Sequence, residues 1–535
     1  MNTRSVKRRR GDDNGSDITI DRLSQLPQPI LHNILSLISQ RDAIRTCVLS
    51  KSWRYLWHGR FNVEFREVDH RCTRKNEFWS FIYKTLQRYI DQNLSLHKFL
   101  VDTSSVVDYT LLQKCIHMVI MNKGVRSFNL IFHQHSRIVV PLPLVVFQSE
   151  SLVELHLQGC DLRMLRSADN VMLNNLQTLR LQDVHITDEI VEKIISSCPL
   201  IENLGLLMCT GLISIKFHKH HNIKDFGCSM NVPLIIEIEY PHALESVRIS
   251  NCCRSWLFRH KNMHFPHLKS IDLYRVLLPE DMFDSFSSFF PCLNELRLHL
   301  CKGLKEFILL SSSIKRLTIS MDMRIGIKAF IDTPNILYFE YHGFLPSIKF
   351  TTTSNEWESR ISVSYKLKPS DNDATSWFLK LNKLLNALSQ SHISLNLICS
   401  NNEKMHIKDS YGGFYKPVVV ENLQLSGCFS SSSDLAVLYC LFRICRPRYI
   451  HIDSYDILHA KCNKVNSLAE FICNRIPNEI GCYFWPKDLE EVGIEVSNKM
   501  TEEWHCVELT SLPALRFHQR IRFRLTWKEE LSKFT

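Results

Sequence analysis

The chain has 535 residues, with 65 Lys+Arg against 55 Asp+Glu for a net charge of +10, and it is 45% hydrophobic and 22% charged. That much apolar matter excludes a disordered chain, 16 glycines exclude a fibrous one, and the length calls for several domains or one long repeat array. The longest apolar run, about 138–147, is interrupted by Pro141 and Pro143 and falls short of the ~20 residues that span a bilayer, so no membrane partner is expected.

Residues 1–20 read as a polar, mobile tail. Arg4, Lys7, Arg8, Arg9 and Arg10 supply half of the net charge, and the segment turns acidic with no apolar core, so it is not a secretory signal. Without export, the 19 cysteines are expected as reduced thiols, in agreement with the absence of any CxxC pair. Lys7, Arg8, Arg9 and Arg10 form a nuclear-import candidate or a solvated tail, and the expected location is nucleus and/or cytoplasm. The nearly balanced remainder offers no basic stripe of the size that nucleic acid needs.

Residues 21–60 change to short Leu-rich helical pieces. Leu26, Ile30, Leu31, Ile34, Leu35 and Ile38 recur at three-and-four spacing, with Pro27 and Pro29 in the opening turn, where proline is tolerated. A second piece carries Ala43, Ile44, Cys47, Val48, Trp53, Leu56 and Trp57. Forty residues bury their own apolar surface poorly, so this module is expected to dock against something. Residues 61–94 are predicted as a helical linker, with an amphipathic helix over Phe78–Ile90.

From there the chain repeats itself. The template L-x-x-L-x-L-x-x-(C/V) starts at Leu152, Leu176, Ile201, Leu244, Leu268 and Leu293, with weaker copies from Ile223, Ile314 and Ile336. Successive starts lie 21–25 residues apart, the period of a leucine-rich repeat. In each copy the last two apolar residues point inward from a short strand and the residue between them points out. Cys160, Cys209, Cys252, Cys301 and Cys428 fill the final slot, which makes them small buried residues rather than reagents. LHKFLVD and VRSFNLIF read as entry repeats, so the array begins near residue 95 and runs regularly to about 350. Residues 351–535 are predicted as irregular C-terminal repeats and capping strands: a helix over Ser376–Gln390, strands SLNLIC, VENLQL, RYIHID and LEEVGIEV, and a last strand. In that strand Phe517, Ile521, Phe523, Leu525 and Trp527 alternate with Arg516, His518, Arg520, Arg522 and Arg524. It reads as a solvated edge blunted by charge, with a basic binding patch as the alternative.

The module DRLSQLPQPILHNILSLISQRDAIRTCVLSKSWRYLWHGR resembles the plant form of the F-box motif. The matching features are Leu26-Pro27, Ile34-Leu35, Asp42-Ala43, Arg45-Thr46, Val48-Leu49-Ser50-Lys51, Trp53 and Leu56-Trp57. PLPLVVFQSESLVELHLQGC is similar to the first repeat of plant F-box proteins with leucine-rich repeats. Ser52 departs from the usual Arg, and Pro29 stands where an acidic residue is common.

The resemblance implies an α/β protein: an N-terminal helical F-box followed by a leucine-rich-repeat solenoid with a curved parallel sheet. It also implies the substrate-recognition subunit of a Skp1-cullin-F-box ubiquitin ligase. A Skp1-type adaptor, and through it cullin and RING subunits, would dock on an exposed face of Leu26, Pro27, Ile30, Leu31, Ile34, Leu35, Val48, Leu49, Trp53, Leu56 and Trp57. The repeats would hold an unknown protein substrate on the outward strand residues His156, Arg180, Arg248, Asp272, Arg297, Thr318 and Glu340. The same architecture also suits a ligand-dependent receptor of the hormone-sensor type, or a scaffold acting outside a ligase.

No GxxxxGK[ST] loop, GxGxxG turn, HExxH or GxSxG elbow occurs in the chain. His218, His220 and His221 lack companion ligands at zinc-site spacing. No catalytic residue, metal or cofactor is expected, and the chain is read as a non-catalytic subunit.

Overall fold

The computed structural model describes residues 26–38, 40–48, 53, 61–69, 75–104, 108–122, 124–133, 140–165, 170–217, 222–232, 234–238, 242–251, 255–256, 264–278, 282–322, 326–354, 356–365, 374–399, 416–427, 432–452, 472, 488–498, 503–508 and 519–528. The tail cluster Lys7–Arg10, His218, His220, His221, Cys252, Cys428, Leu49, Leu56 and Trp57 lie outside them. The chain forms two compact units, Met1–Leu179 and Arg180–Thr535.

The first unit opens with α1 (Gln28–Leu37) and α2 (Gln40–Arg45), followed by a 3-10 turn, Thr46–Val48. The Pro27 carbonyl accepts the N–H groups of Ile30 and Leu31 at 2.9 and 3.2 Å, and two prolines at the start remove donors that a first turn leaves unsatisfied. Three-and-four spacing then splits α1 into two faces. Leu31 and Leu35 turn inward to join Ala43 and Trp53 in a small core, against which Leu26, Ile34 and Ile38 are partly buried.

Next come the parallel strands β1 (Asn62–Arg66), β2 (Lys98–Thr103), β3 (Ser127–Phe132) and β4 (Glu154–Gln158), each paired with the next. Two helices, α3 (Lys75–Asp91) and α4 (Tyr109–Met121), pack against each other. Asp108 caps α4 by accepting from the Thr110 and Leu111 N–H groups at 3.0 and 3.2 Å. Residues 62–66 therefore correct the expectation of a helical linker. Buried Val63 and Phe65 alternate with more open neighbours, and a two-residue period pairs with β2 better than it wraps a helix.

The next strand is β5 (Thr178–Gln182). In the second unit, β6 (Asn203–Leu207), β7 (Asp225–Ser229), β8 (Ser246–Ser250), β9 (Ser270–Tyr274), β10 (Glu295–His299) and β11 (Arg316–Ser320) follow in parallel register. The run continues through β12 (Tyr338–Phe344), β13 (Glu358–Tyr365), β14 (His392–Cys399), β15 (Val418–Gly427) and β16 (Cys445–Ile452). The three weaker copies of the template thus form strands β7, β11 and β12 in the same register as the strong ones. A second layer holds the short parallel sheets Ser214–Phe217 with Ile235–Ile238 and Ser255–Trp256, and Glu306–Leu310 with Lys328–Asp332 and Ser347–Thr351. Helix α5 (Asp188–Ser196) stands in the first of the unit's connections, and α6 (Ala374–Ala387) and α7 (Ser432–Ile444) in two of the last.

A backbone device recurs at the exit of each regular strand. The residue just before the Cys/Val slot has a left-handed φ: Gly159 at 70°, Asp183 at 51°, Met208 at 53°, Asn251 at 59°, Arg275 at 54° and Leu300 at 52°. The N–H of this residue continues the ladder by one bond; Met208 donates to the Ser229 carbonyl at 2.6 Å and Leu300 to that of Ser320 at 2.6 Å. The reversal swings the next residue inward. Cys160, Cys209 and Cys301 are consequently buried, and the Sγ of Cys209 and of Cys301 donates to the Leu181 and Leu273 carbonyls at 3.5 and 3.4 Å. Burial pushes both of these thiols up to about 11, out of the reactive range.

The last three strands change direction. β17 (Leu489–Asn498), β18 (Trp504–Val507) and β19 (Gln519–Trp527) are antiparallel, and β19 lies between β16 and β17. This overturns the reading of β19 as a wet edge: it is paired on both sides, which the alternation of its residues cannot reveal.

Candidate functional site

Two surfaces collect the residues singled out from the sequence. The first is the outer face of α1 and the turn after α2. Ile30, Ile34 and Leu37 recur at i, i+4 and i+7, a spacing that aligns them on one side of a helix. Ile30 is 46% exposed, Leu37 86% and Val48 87%. Leu31, Leu35 and Trp53, expected to face an adaptor, are instead 3%, 0% and 3% exposed inside the module. Their placement is a correction: the same hydrophobic stripe that marks the helix must first supply the module's own core. Pro27 is exposed and Leu26 half-buried. Leu37, which the sequence reading passed over, is the most open apolar side chain of α1, and the i+7 position from Ile30 was the signal.

The second surface is the outward side of the strands. In the first unit His156 of β4 stands opposite Asn129 and half-buried, and Glu154 of the same strand stands opposite Ser127, whose hydroxyl donates to it at 2.9 Å. The second unit holds the rest in one row. Register places Gly205, Gly227, Arg248, Asp272, Arg297, Thr318, Glu340 and Arg360 side by side across β6–β13. Arg180, on β5, lies against Gly205. The reading from spacing alone therefore put Arg248, Asp272, Arg297, Thr318 and Glu340 in true register, although they are up to 92 residues apart in the chain.

The charges in this row differ in their surroundings. Arg297 is held by Glu295 at 2.7 Å and by Asp272 at 3.9 Å. Tyr338 donates its hydroxyl to Glu340 at 3.1 Å, and the guanidinium groups of Arg316 and Arg360 lie over its ring, each 5.5 Å from the centroid. Among the described residues, Arg180 and Arg248 make no ion pair, and both are exposed.

At the far end of the sheet a cluster forms that sequence reasoning missed. Arg522 lies between the rings of Tyr449 and Trp504, 4.2 and 4.1 Å from their centroids, and donates to Glu495 at 2.7 Å. His451 Nε2 is 3.0 Å from Asn422 Oδ1. Burial, and then the cations of Arg522 and Arg520, hold this imidazole down at about 4, so it is neutral at physiological pH. A cavity of about 610 Å³ opens nearby, lined by Arg446, Arg448 and Arg524 among others. Its arginines are already matched: Arg446 to Asp488 at 2.6 Å, Arg448 to Glu421 at 3.1 Å, and Arg524 to Glu495 at 3.4 Å.

Among the described residues no group of three His, Cys, Asp or Glu side chains could hold a metal ion, and no helix is long and apolar enough to cross a membrane.

A small helical module with an apolar outer row, followed by strands in parallel register at a leucine-rich period, defines the class: an F-box followed by leucine-rich repeats. Residues 23–62 match the F-box domain, and residues 116–251 match the leucine-rich repeats of the FBD-associated F-box protein At5g56370. Over these segments the chain resembles plant F-box/LRR-repeat proteins. It is similar to three from Arabidopsis thaliana: F-box/LRR-repeat protein At3g59200 (28% identity, 43% of this chain and 47% of the relative), F-box/FBD/LRR-repeat protein At1g13570 (30%, 36% and 45%) and F-box/FBD/LRR-repeat protein At5g56420 (30%, 36% and 44%). The chain spans about half the length of the curated relatives it matches.

Proposed function

We propose that this protein is the substrate-recognition subunit of a Skp1-cullin-F-box ubiquitin ligase. Its F-box docks a Skp1-type adaptor, which joins it to the cullin and RING subunits, and its repeats hold a protein for ubiquitylation. The observation that carries this reading is the F-box match on a module whose Ile30, Leu37 and Val48 are turned to solvent while Leu31, Leu35 and Trp53 keep it folded. Large exposed apolar side chains grouped on so small a module are the usual mark of a docking face. The chain itself carries out no bond chemistry in this reading; ubiquitin transfer belongs to the other subunits. A nuclear or cytoplasmic location fits the same role.

The test is co-purification with a recombinant Skp1-type adaptor. Leu37→Asp with Val48→Asp is expected to abolish capture while circular dichroism stays unchanged, and wild-type chain with adaptor, cullin and RING protein is expected to support ubiquitylation of a bound protein. Unchanged capture by the double variant overturns the docking face. Capture without ubiquitylation of any bound protein would instead point to a scaffold acting outside a ligase.

A further inference from the structure

Gly205 and Gly227 sit next to each other in the outward row of β6 and β7, where every strand from β8 to β13 carries a side chain. Neither has a left-handed φ. A Cβ built on Gly227 would meet only the Leu204 carbonyl, at 4.0 Å, and one on Gly205 only the Arg180 side chain, from 3.5 Å outward. Nothing in the fold demands glycine at either position, and glycine inside a strand weakens it. Elsewhere the fold does demand it: at Gly159 a Cβ would come within 2.5 Å of the Phe132 carbonyl. Gly227 has open space above it, as on a strand surface that another chain approaches closely, whereas Gly205 is where the Arg180 side chain lies down on the sheet.

The Arg180 side chain lies over Gly205, so the open space is a trough over Gly227; from the strand of Gly205 to that of Arg248 is two strand spacings, about 10 Å, which is the width of one extended polypeptide. Arg180 flanks it on one side and Arg248 on the other. Both guanidinium groups are exposed and, among the described residues, have no acidic partner, in contrast to Arg297 two strands further along. Asp225, two residues before Gly227 on the same strand, stands on this face at one end of the trough.

We infer that the trough over Gly227, between Arg248 and the Arg180 side chain lying on Gly205, is the seat of an acidic, extended segment of a protein partner. The inference deepens the proposed substrate role of the repeats but does not depend on the adaptor, so the two fail separately.

The experiment is selection of a displayed random 12-residue peptide library on the full chain without adaptor, followed by fluorescence anisotropy with the selected peptides. Selected peptides are expected to be enriched in Asp and Glu. Gly227→Val is expected to weaken them at least tenfold while the thermal midpoint stays the same or rises, because the new side chain fills open space on a strand. Arg180→Glu with Arg248→Glu, both surface changes, should do the same and serves if Gly227→Val does not fold; Arg360→Ser should leave binding intact. The inference is overturned if no peptide is selected, if the selected peptides are not acidic, or if they bind the trough variants as tightly as wild type. A single-stranded oligonucleotide that competes at this site where acidic peptides do not also overturns it.

Discussion

The Nε of Arg522 donates to the carboxylate of Glu495 across 2.7 Å, with the two side chains only 19% and 14% exposed. An ion pair so placed is costly to break from one side, because the survivor is left charged and poorly hydrated. Glu495→Leu is expected to destabilise the C-terminal strands by about 3 kcal/mol, whereas Glu495→Leu with Arg522→Met should recover much of that loss. Urea denaturation followed by tryptophan emission, with Trp504 against the Arg522 guanidinium as a local reporter, measures both. Additive losses in the double variant would show that the pair is not coupled.

His451 gives the same region a dependence on pH. Its folded pKa of about 4 lies below the ordinary 6.5, so the unfolded chain takes up a proton that the folded one refuses. The stability this contributes is complete above about pH 6.5, falls as the pH drops below it, and is lost near pH 4. The size is about 3 kcal/mol. Denaturation at pH 7 and pH 4.5 should show a smaller loss in His451→Gln than in wild type; equal losses would remove His451 as the cause.

The left-handed strand exits predict opposite outcomes at two equivalent positions. Met208 holds φ 53° with a side chain, at a cost of about 1–2 kcal/mol, part of which glycine regains against its own entropy loss. Met208→Gly should therefore raise stability by about 0.5–1 kcal/mol. Gly159→Ala, with φ 70° and a carbonyl 2.5 Å from the new Cβ, should lower it by at least about 2 kcal/mol. Thermal melts of the two variants decide the matter, and a stabilising Gly159→Ala would contradict the reading of the turn.

In the F-box module, buried and exposed apolar side chains separate on two faces of one helix, and the proposed docking face is the exposed one. Leu35→Ala removes a side chain with no exposure and is expected to cost about 2–5 kcal/mol, seen as early cleavage of the module in limited proteolysis. Leu37→Ala, at 86% exposure, should leave proteolysis unchanged and weaken adaptor capture. Matching effects of the two on both readouts would remove the division.

The sequence alone carried the repeat and its consequences. A period of 21–25 residues, with inward Leu and Ile on either side of one outward residue, determines which side chains share a row, because parallel strands in register align equivalent positions. Arg248, Asp272, Arg297, Thr318 and Glu340 were legible for that reason, as were Cys160, Cys209 and Cys301 as core. The left-handed residue before each of those slots was not, since Asp183, Met208, Arg275 and Leu300 share no side-chain chemistry and only the backbone path unites them.

Tertiary structure decided what depends on neighbours from elsewhere in the chain. A hydrophobic stripe marks α1 as amphipathic but does not say that Leu31 and Leu35 meet Trp53 while Leu37 meets water. Alternation in β19 reads alike for an edge strand and a central one, and only pairing with β16 and β17 turned Arg522 from a solvated charge into a stacked, paired one. Periodicity reports the local geometry of one element, whereas burial and ion pairing report the element packed against it, and for that the chain has to fold.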